Sequence, residues 1–144
     1  MKKYRIVMFE DEFLPASDLA KQLKEFGYEV TGMFSSAEKG LTFLEETLGT
    51  DRFPDAVLMD ITLKGEIDGI QAAGVIFEKY PCGVVFLTAL SMLSVIEKII
   101  AVRPVPFLIK PFDPYLVHTN LQVAIHIAGL EKEIRRLRNG NIQA

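Results

Sequence analysis

Apolar and polar positions run along this chain in blocks of alternating period. Residues 4–9 form an apolar hexamer broken by one arginine. Over about 15–26 the period lengthens. Leu19, Leu23 and Phe26 fall on one helical face, Pro15 suits an early helical position, and Gly27 closes the segment. Residues 28–33 alternate weakly, as a second strand. Ser35 or Ser36 can cap the helix that follows, where Ala37, Leu41, Leu44 and Leu48 are spaced by four, three and four before Gly49. Pro54 precedes a buried strand over 56–59. From Gly69, the positions Ile70, Ala73 and Phe77 mark a third helical face. After Pro81 and Gly83 comes a continuous apolar strand over 84–87. Residues 91–101 are helical by period, yet Met92, Leu93, Val95, Ile96, Ile99 and Ile100 cover most of the circumference. Phe107, Leu108 and Ile109 make a last short strand. Asp113 followed by Pro114 is a cap and first-turn pair for a final helix.

Five strands therefore alternate with five helices. Strands one, three, four and five lack a polar face, which calls for a parallel sheet covered by helices on both sides. The fold class expected is α/β, a three-layer doubly wound parallel sheet. Such sheets place their sites beyond the carboxyl ends of the strands, near a topological switch. Polar residues stand at those ends here. Glu10, Asp11 and Glu12 follow strand one, Asp60 ends strand three, Thr88 follows strand four, and Lys110 follows strand five.

That set of side chains points to one chemistry. Clustered carboxylates repel one another unless a cation intervenes. Mg²⁺ accepts one or two protein carboxylates, keeps several waters and leaves room for a phosphate oxygen. Lys110 can pair with a carboxylate at rest and with a phosphoryl group later. Phosphoryl transfer needs positioning and charge neutralisation above all, and an aspartate can itself be the nucleophile. The acidic turn after strand one excludes a Gly-rich phosphate loop, a dinucleotide fingerprint and a bare flavin phosphate site.

Composition narrows the class without changing it. The chain has 144 residues, 49% of them apolar and 24% charged, the balance of one soluble globular domain. A net charge of −3 gives no reason to expect nucleic-acid binding. Cys82 is the sole cysteine, so no disulfide forms within the chain. The N-terminal apolar run is too short and too acidic for a signal peptide, and no apolar stretch approaches the roughly 20 residues that span a bilayer. The expectation is a cytoplasmic protein with no membrane association. His118 and His126 have no clustered Cys or carboxylate partners and are not expected to bind metal.

The motifs FEDE, VLMD followed by DG, FLTA and FLIKPF, in that order and at those strand ends, resemble the receiver domain of two-component response regulators. The resemblance covers residues 4 to about 125. It implies a flavodoxin-like receiver fold with strand order 2-1-3-4-5. It also implies a phosphorelay function, in which Asp60 takes a phosphoryl group from a histidine kinase or phosphotransfer protein and the domain switches conformation. Mg²⁺-dependent self-phosphorylation from a phosphodonor and slow autodephosphorylation come with it. Glu10 and Asp11 match the acidic pair, with Asp11 a direct Mg²⁺ ligand beside Asp60, and the backbone carbonyl of Thr62 completes the protein's share. Thr88 and Lys110 match the pair that contacts the phosphoryl oxygens. Phe107 matches the aromatic switch position that moves with Thr88. The alternative is a non-phosphorylated pseudo-receiver acting as a protein-interaction module.

Two features depart from the commonest receivers. The loop from Asp60 to Gly69 is one residue longer, with Leu63-Lys64-Gly65 where a proline is usual. The segment 101–106 replaces the usual small residues before strand five. The division expected is a receiver over 1–125 and a helical extension over 126–144, which could connect to a further domain. In that extension Ile127, Leu130, Ile134 and Leu137 run at spacings of three and four. A homodimer through helix four or through the C-terminal helix is the expected self-association.

Overall fold

The computed structural model describes residues 3–143, so Met1, Lys2 and Ala144 lie outside the described residues. The elements run β1 (Arg5–Phe9), α1 (Phe13–Glu25), β2 (Glu29–Phe34), α2 (Ala37–Thr47), β3 (Ala56–Asp60), α3 (Gly69–Lys79), β4 (Gly83–Thr88), a 3₁₀ turn (Leu90–Met92), α4 (Leu93–Val102), β5 (Phe107–Ile109) and α5 (Pro114–Gln143). The five strands form one sheet in the order β2-β1-β3-β4-β5, and every pair is parallel. This is the doubly wound architecture expected from the alternation of strands and helices.

Each face of the sheet buries its own core. On one face Val7, Phe9, Val57, Met59, Val84 and Phe86 pack with Leu44 of α2, Ala72, Ala73 and Ile76 of α3, and Ile96 of α4. On the other, Ile6, Met8, Leu58, Val85 and Leu87 pack with Leu19 and Leu23 of α1 and with Val117 and Leu121 of α5. Strands β1, β3 and β4 are buried almost end to end, because both sets of alternating side chains meet helices. Their apolar character therefore has no polar period.

Local caps set the helix starts. The Ser36 hydroxyl accepts from the Lys39 N–H at 3.3 Å and opens α2. Asp68 and Gln71 form a reciprocal capping box that opens α3. Asp113 accepts from the Tyr115 N–H at 2.7 Å and opens α5.

Three details differ from the sequence reading. Helix α1 begins at Phe13, leaving Phe13 and Leu14 exposed ahead of Pro15. The predicted fourth helix begins instead as a 3₁₀ turn. The apolar circumference of α4 is turned largely inward. Ile96 is buried, and Met92, Ile99 and Ile100 pack against the core, so none of its described large apolar side chains is among the exposed ones. Helix α5 starts at Pro114, as the Asp113-Pro114 pair predicts, and runs unbroken to Gln143.

Candidate functional site

The carboxyl ends of β1, β3, β4 and β5 all open on one edge of the sheet, and the polar residues named above gather there. Glu10 follows β1, and its N–H donates to the Phe34 carbonyl at 3.0 Å, fixing the turn. Its carboxylate points inward, and the residue is 7% exposed. Asp60 is the last residue of β3 and is 3% exposed. Leu87 of β4 is its registered neighbour, and Thr88, 1% exposed, is the next residue along.

Lys110 joins these groups. Its Nζ donates to Asp60 Oδ2 at 2.8 Å and to Glu10 Oε2 at 3.1 Å. Its backbone N–H donates to the Thr88 carbonyl at 2.7 Å, which ties the lysine to the end of β4. A cis peptide bond joins Lys110 to Pro111. The other Asp60 oxygen, Oδ1, accepts from the Thr62 N–H at 2.9 Å and from the Thr62 hydroxyl at 3.0 Å. Sequence reasoning assigned Thr62 only a backbone carbonyl; here its hydroxyl and amide hold the aspartate. The Thr88 hydroxyl donates to the Ala89 carbonyl at 3.2 Å.

Electrostatics follow from this geometry. Burial would raise the Asp60 carboxyl, but Lys110 and the Thr62 N–H outweigh it and hold it below the usual carboxylate range. Glu10 goes the other way, pushed up to about 7 by burial first and then by the Asp60 carboxylate beside it. Burial would lower Lys110; its two carboxylate partners reverse that and raise it. Near neutral pH the site thus holds an ionised aspartate, an ammonium, and a glutamate poised between its two forms.

The donor set fits a hard divalent cation. One carboxylate oxygen each from Glu10, Asp11 and Glu12 lies within 4.8 Å of the others, and Asp60 is tied to Glu10 through Lys110. Oxygen ligands of this kind, clustered and anionic, suit Mg²⁺. Glu12 belongs to this group as well as the two acids singled out from sequence, although its own N–H donates back to Glu10 Oε1 at 3.1 Å.

The loop after Asp60 is built to stay close to the site. Gly65 has a φ of +117°, a turn that only glycine adopts without strain. Gly69 lies so close to β3 that a Cβ there would stand 2.1 Å from the Asp60 carbonyl oxygen. Lys64 pairs as a parallel bridge with Ser36 and places its ammonium 4.0 Å from Asp11 Oδ2. Glu38 of α2 accepts from the Ile67 N–H at 3.1 Å. The role of Glu38 had no signal in the sequence, because the contact joins residues 29 apart with no shared period.

Other residues occupy the surrounding structure. Phe107 is half-buried and registers with Phe86, so it lies on the same sheet face as Thr88, one pleat back. Leu90 is 66% exposed in the 3₁₀ turn beyond Thr88. His118 stands away from this edge, with its Nδ1 2.9 Å from the Tyr28 hydroxyl and its ring stacked on Phe26. Cys82 is buried, and burial pushes its thiol up to about 12. Among the described residues, no helix is long and apolar enough to cross a membrane.

Comparison with known proteins gives a consistent picture. The family model described as the response regulator receiver domain matches residues 6–122. The transcriptional regulatory protein PdtaR of Mycobacterium tuberculosis is 31% identical over 137 residues, covering 92% of this chain; the chain spans 64% of that relative's length. Among solved structures, the signal receiver domain of a modulated diguanylate cyclase from Desulfovibrio desulfuricans G20 superposes with a TM-score of 0.77 at 28% identity, covering 90% of this chain and 99% of that one. The N-terminal domain of a response regulator/sensory box/GGDEF protein from Carboxydothermus hydrogenoformans gives 0.74 at 28% identity, covering 88% and 98%.

Proposed function

The chain belongs to the response regulator receiver domain family of two-component signalling, and from that membership we propose that it accepts a phosphoryl group on Asp60. The donor is a phosphohistidine on a histidine kinase or a phosphotransfer protein. The observation that carries the reading is the double contact of Lys110, which holds Asp60 at 2.8 Å and Glu10 at 3.1 Å on one edge of the sheet.

In the step itself, an Asp60 carboxylate oxygen forms a bond to phosphorus as the donor's P–N bond breaks. The imidazole leaves neutral when its second nitrogen carries the proton. Lys110 and Thr62 keep Asp60 ionised and oriented at neutral pH, which is the form that attacks. Lys110 then turns part of its charge to the phosphoryl oxygens. Asp11, Asp60 and the Thr62 carbonyl would hold Mg²⁺, with Glu10 beside it. When bound, the ion supplies the positive charge that balances the transferring oxygens. The Thr88 hydroxyl exchanges its Ala89 carbonyl partner for a phosphoryl oxygen, and Phe107 follows on the same face. This shifts the balance of two conformations that both exist beforehand. Water later hydrolyses the acyl phosphate.

The receiver proper ends at residue 125, and from 126 α5 continues as a helical extension to Gln143. Output passes to a protein partner in the cytoplasm. The test is incubation with Mg²⁺ and acetyl phosphate. A hydroxylamine-labile phosphoryl adduct, absent in Asp60→Asn, is the expected result. An adduct that persists in Asp60→Asn overturns the site. No adduct on the unaltered chain overturns the phosphoacceptor reading in favour of an unphosphorylated interaction module.

A further inference from the structure

The carboxylates at the sheet edge are shared between two lysines. Lys110 takes Asp60 and Glu10, at 2.8 and 3.1 Å. Asp11 has a different partner. Among the described residues, the cation paired with it is Lys64, whose Nζ lies 4.0 Å from Asp11 Oδ2. The two partners differ in freedom. The Asp11 side chain is 13% exposed and the Lys64 side chain 87%. The aspartate is therefore held in place by its surroundings. The lysine head can leave without losing packing or uncovering apolar surface.

The backbone beneath Lys64 has no such freedom. Upstream, the Thr62 N–H and hydroxyl both donate to Asp60 Oδ1. At Lys64 itself the chain forms a parallel bridge with Ser36, the residue that caps α2. Gly65 then turns at a φ of +117° against Glu38, where a Cβ would stand 3.2 Å from Glu38 Oε2. Downstream, Glu38 Oε1 accepts from the Ile67 N–H at 3.1 Å. The loop is attached from Thr62 to Ile67, so it presents a solvated ammonium to Asp11 from a fixed base.

We propose that Lys64 is a built-in competitor for the Mg²⁺ site, balancing Asp11 in the metal-free protein and giving way when the cation binds. Lys64 thereby sets the Mg²⁺ concentration at which the site fills. This role rests on Asp11 being a ligand to the ion, as proposed above. A dication on Asp11 removes the attraction that holds the ammonium there and repels it as well. Lys110 is not displaced in this exchange, because its contacts run to Asp60 and Glu10. Water takes over the freed ammonium, and no proton moves. An exposed pair at this distance carries a factor of about two to five in an equilibrium constant.

The test measures Mg²⁺ binding to the full chain by isothermal calorimetry at low ionic strength, with no phosphodonor present. Lys64→Gln should lower the dissociation constant about two- to fivefold, and Lys64→Glu should lower it further. Lys64→Arg, which keeps the charge, should bind as the unaltered chain does. In about 1 M KCl the screening length falls to about 3 Å, and these proteins should converge on one affinity. Asp11→Asn should weaken binding at least tenfold. Equal dissociation constants for Lys64→Gln and the unaltered chain, with Asp11→Asn still impaired, overturn the role of Lys64 and leave the metal site standing. A tightening that persists in the high salt comes from a reshaped loop and overturns it too. Binding that Asp11→Asn leaves unchanged, or no saturable binding by the unaltered chain, overturns the metal site itself and this role with it.

Discussion

The ammonium of Lys110 lies 2.8 Å from Asp60 Oδ2, and both groups stand at the ends of neighbouring parts of one parallel sheet. Fifty residues separate them in the chain. Their meeting depends on the strand order, which leaves β4 alone between β3 and β5. The pair is asymmetric: Asp60 is buried, while Lys110 keeps 35% of its side chain exposed.

Replacing Lys110 by methionine should destabilise the protein by about 1–2 kcal/mol, less than the ~3–5 kcal/mol for breaking a fully buried pair, because part of the lysine is solvated. The double variant Asp60→Asn/Lys110→Met should be less destabilised than the two single effects added together. Urea unfolding of the four proteins measures this coupling. Strict additivity would contradict a direct interaction.

The raised Glu10 carboxyl gives the metal-free protein a pH-dependent stability. Its folded value of about 7 lies above the ordinary 4.5, so between those limits the folded state binds more protons than the unfolded state. Stability attributable to Glu10 therefore falls as pH rises from about 4.5 to about 7. Asp60 is depressed and contributes the reverse slope only at more acid pH, as its folded form becomes protonated. With EDTA present, the thermal midpoint should drop across the upper window. Glu10→Gln, which mimics the protonated form, should flatten that drop.

Two glycines of one helix should behave oppositely. At Gly69 a methyl group would run into the Asp60 carbonyl oxygen, a backbone atom that cannot move aside cheaply. Gly69→Ala should cost about 3 kcal/mol, the upper end of overpacking. At Gly74, in the same helix, a Cβ meets nothing within 4 Å. Gly74→Ala should add about 0.5–1 kcal/mol through helix propensity. Denaturant midpoints distinguish the two directions.

These effects also show what could be read from the chain alone. The ends of the buried runs were legible, since Asp60, Thr88 and Lys110 each interrupt an apolar block at the boundary of a parallel strand. The two-sided core followed from the same pattern, whereas the strand order came only with the resemblance to receiver domains. Side-chain partners across the fold left no such trace. That Lys110 holds Glu10 as well as Asp60 depends on how the strand ends converge, and that Glu38 anchors the loop at Ile67 and His118 meets Tyr28 depends on helix packing. The apolar residues all round α4 were ambiguous for the same reason. Period alone does not distinguish a second face against the core from a face offered to a partner.

The most direct test of Asp60 as phosphoacceptor is the position of the acyl phosphate itself. Borohydride reduces a phosphorylated aspartate to homoserine, which peptide mass spectrometry locates. After Mg²⁺ and acetyl phosphate, homoserine at position 60 alone is the predicted result. Homoserine at position 11, a reduced glutamate at position 10 or 12, or no reduced residue at all would contradict it.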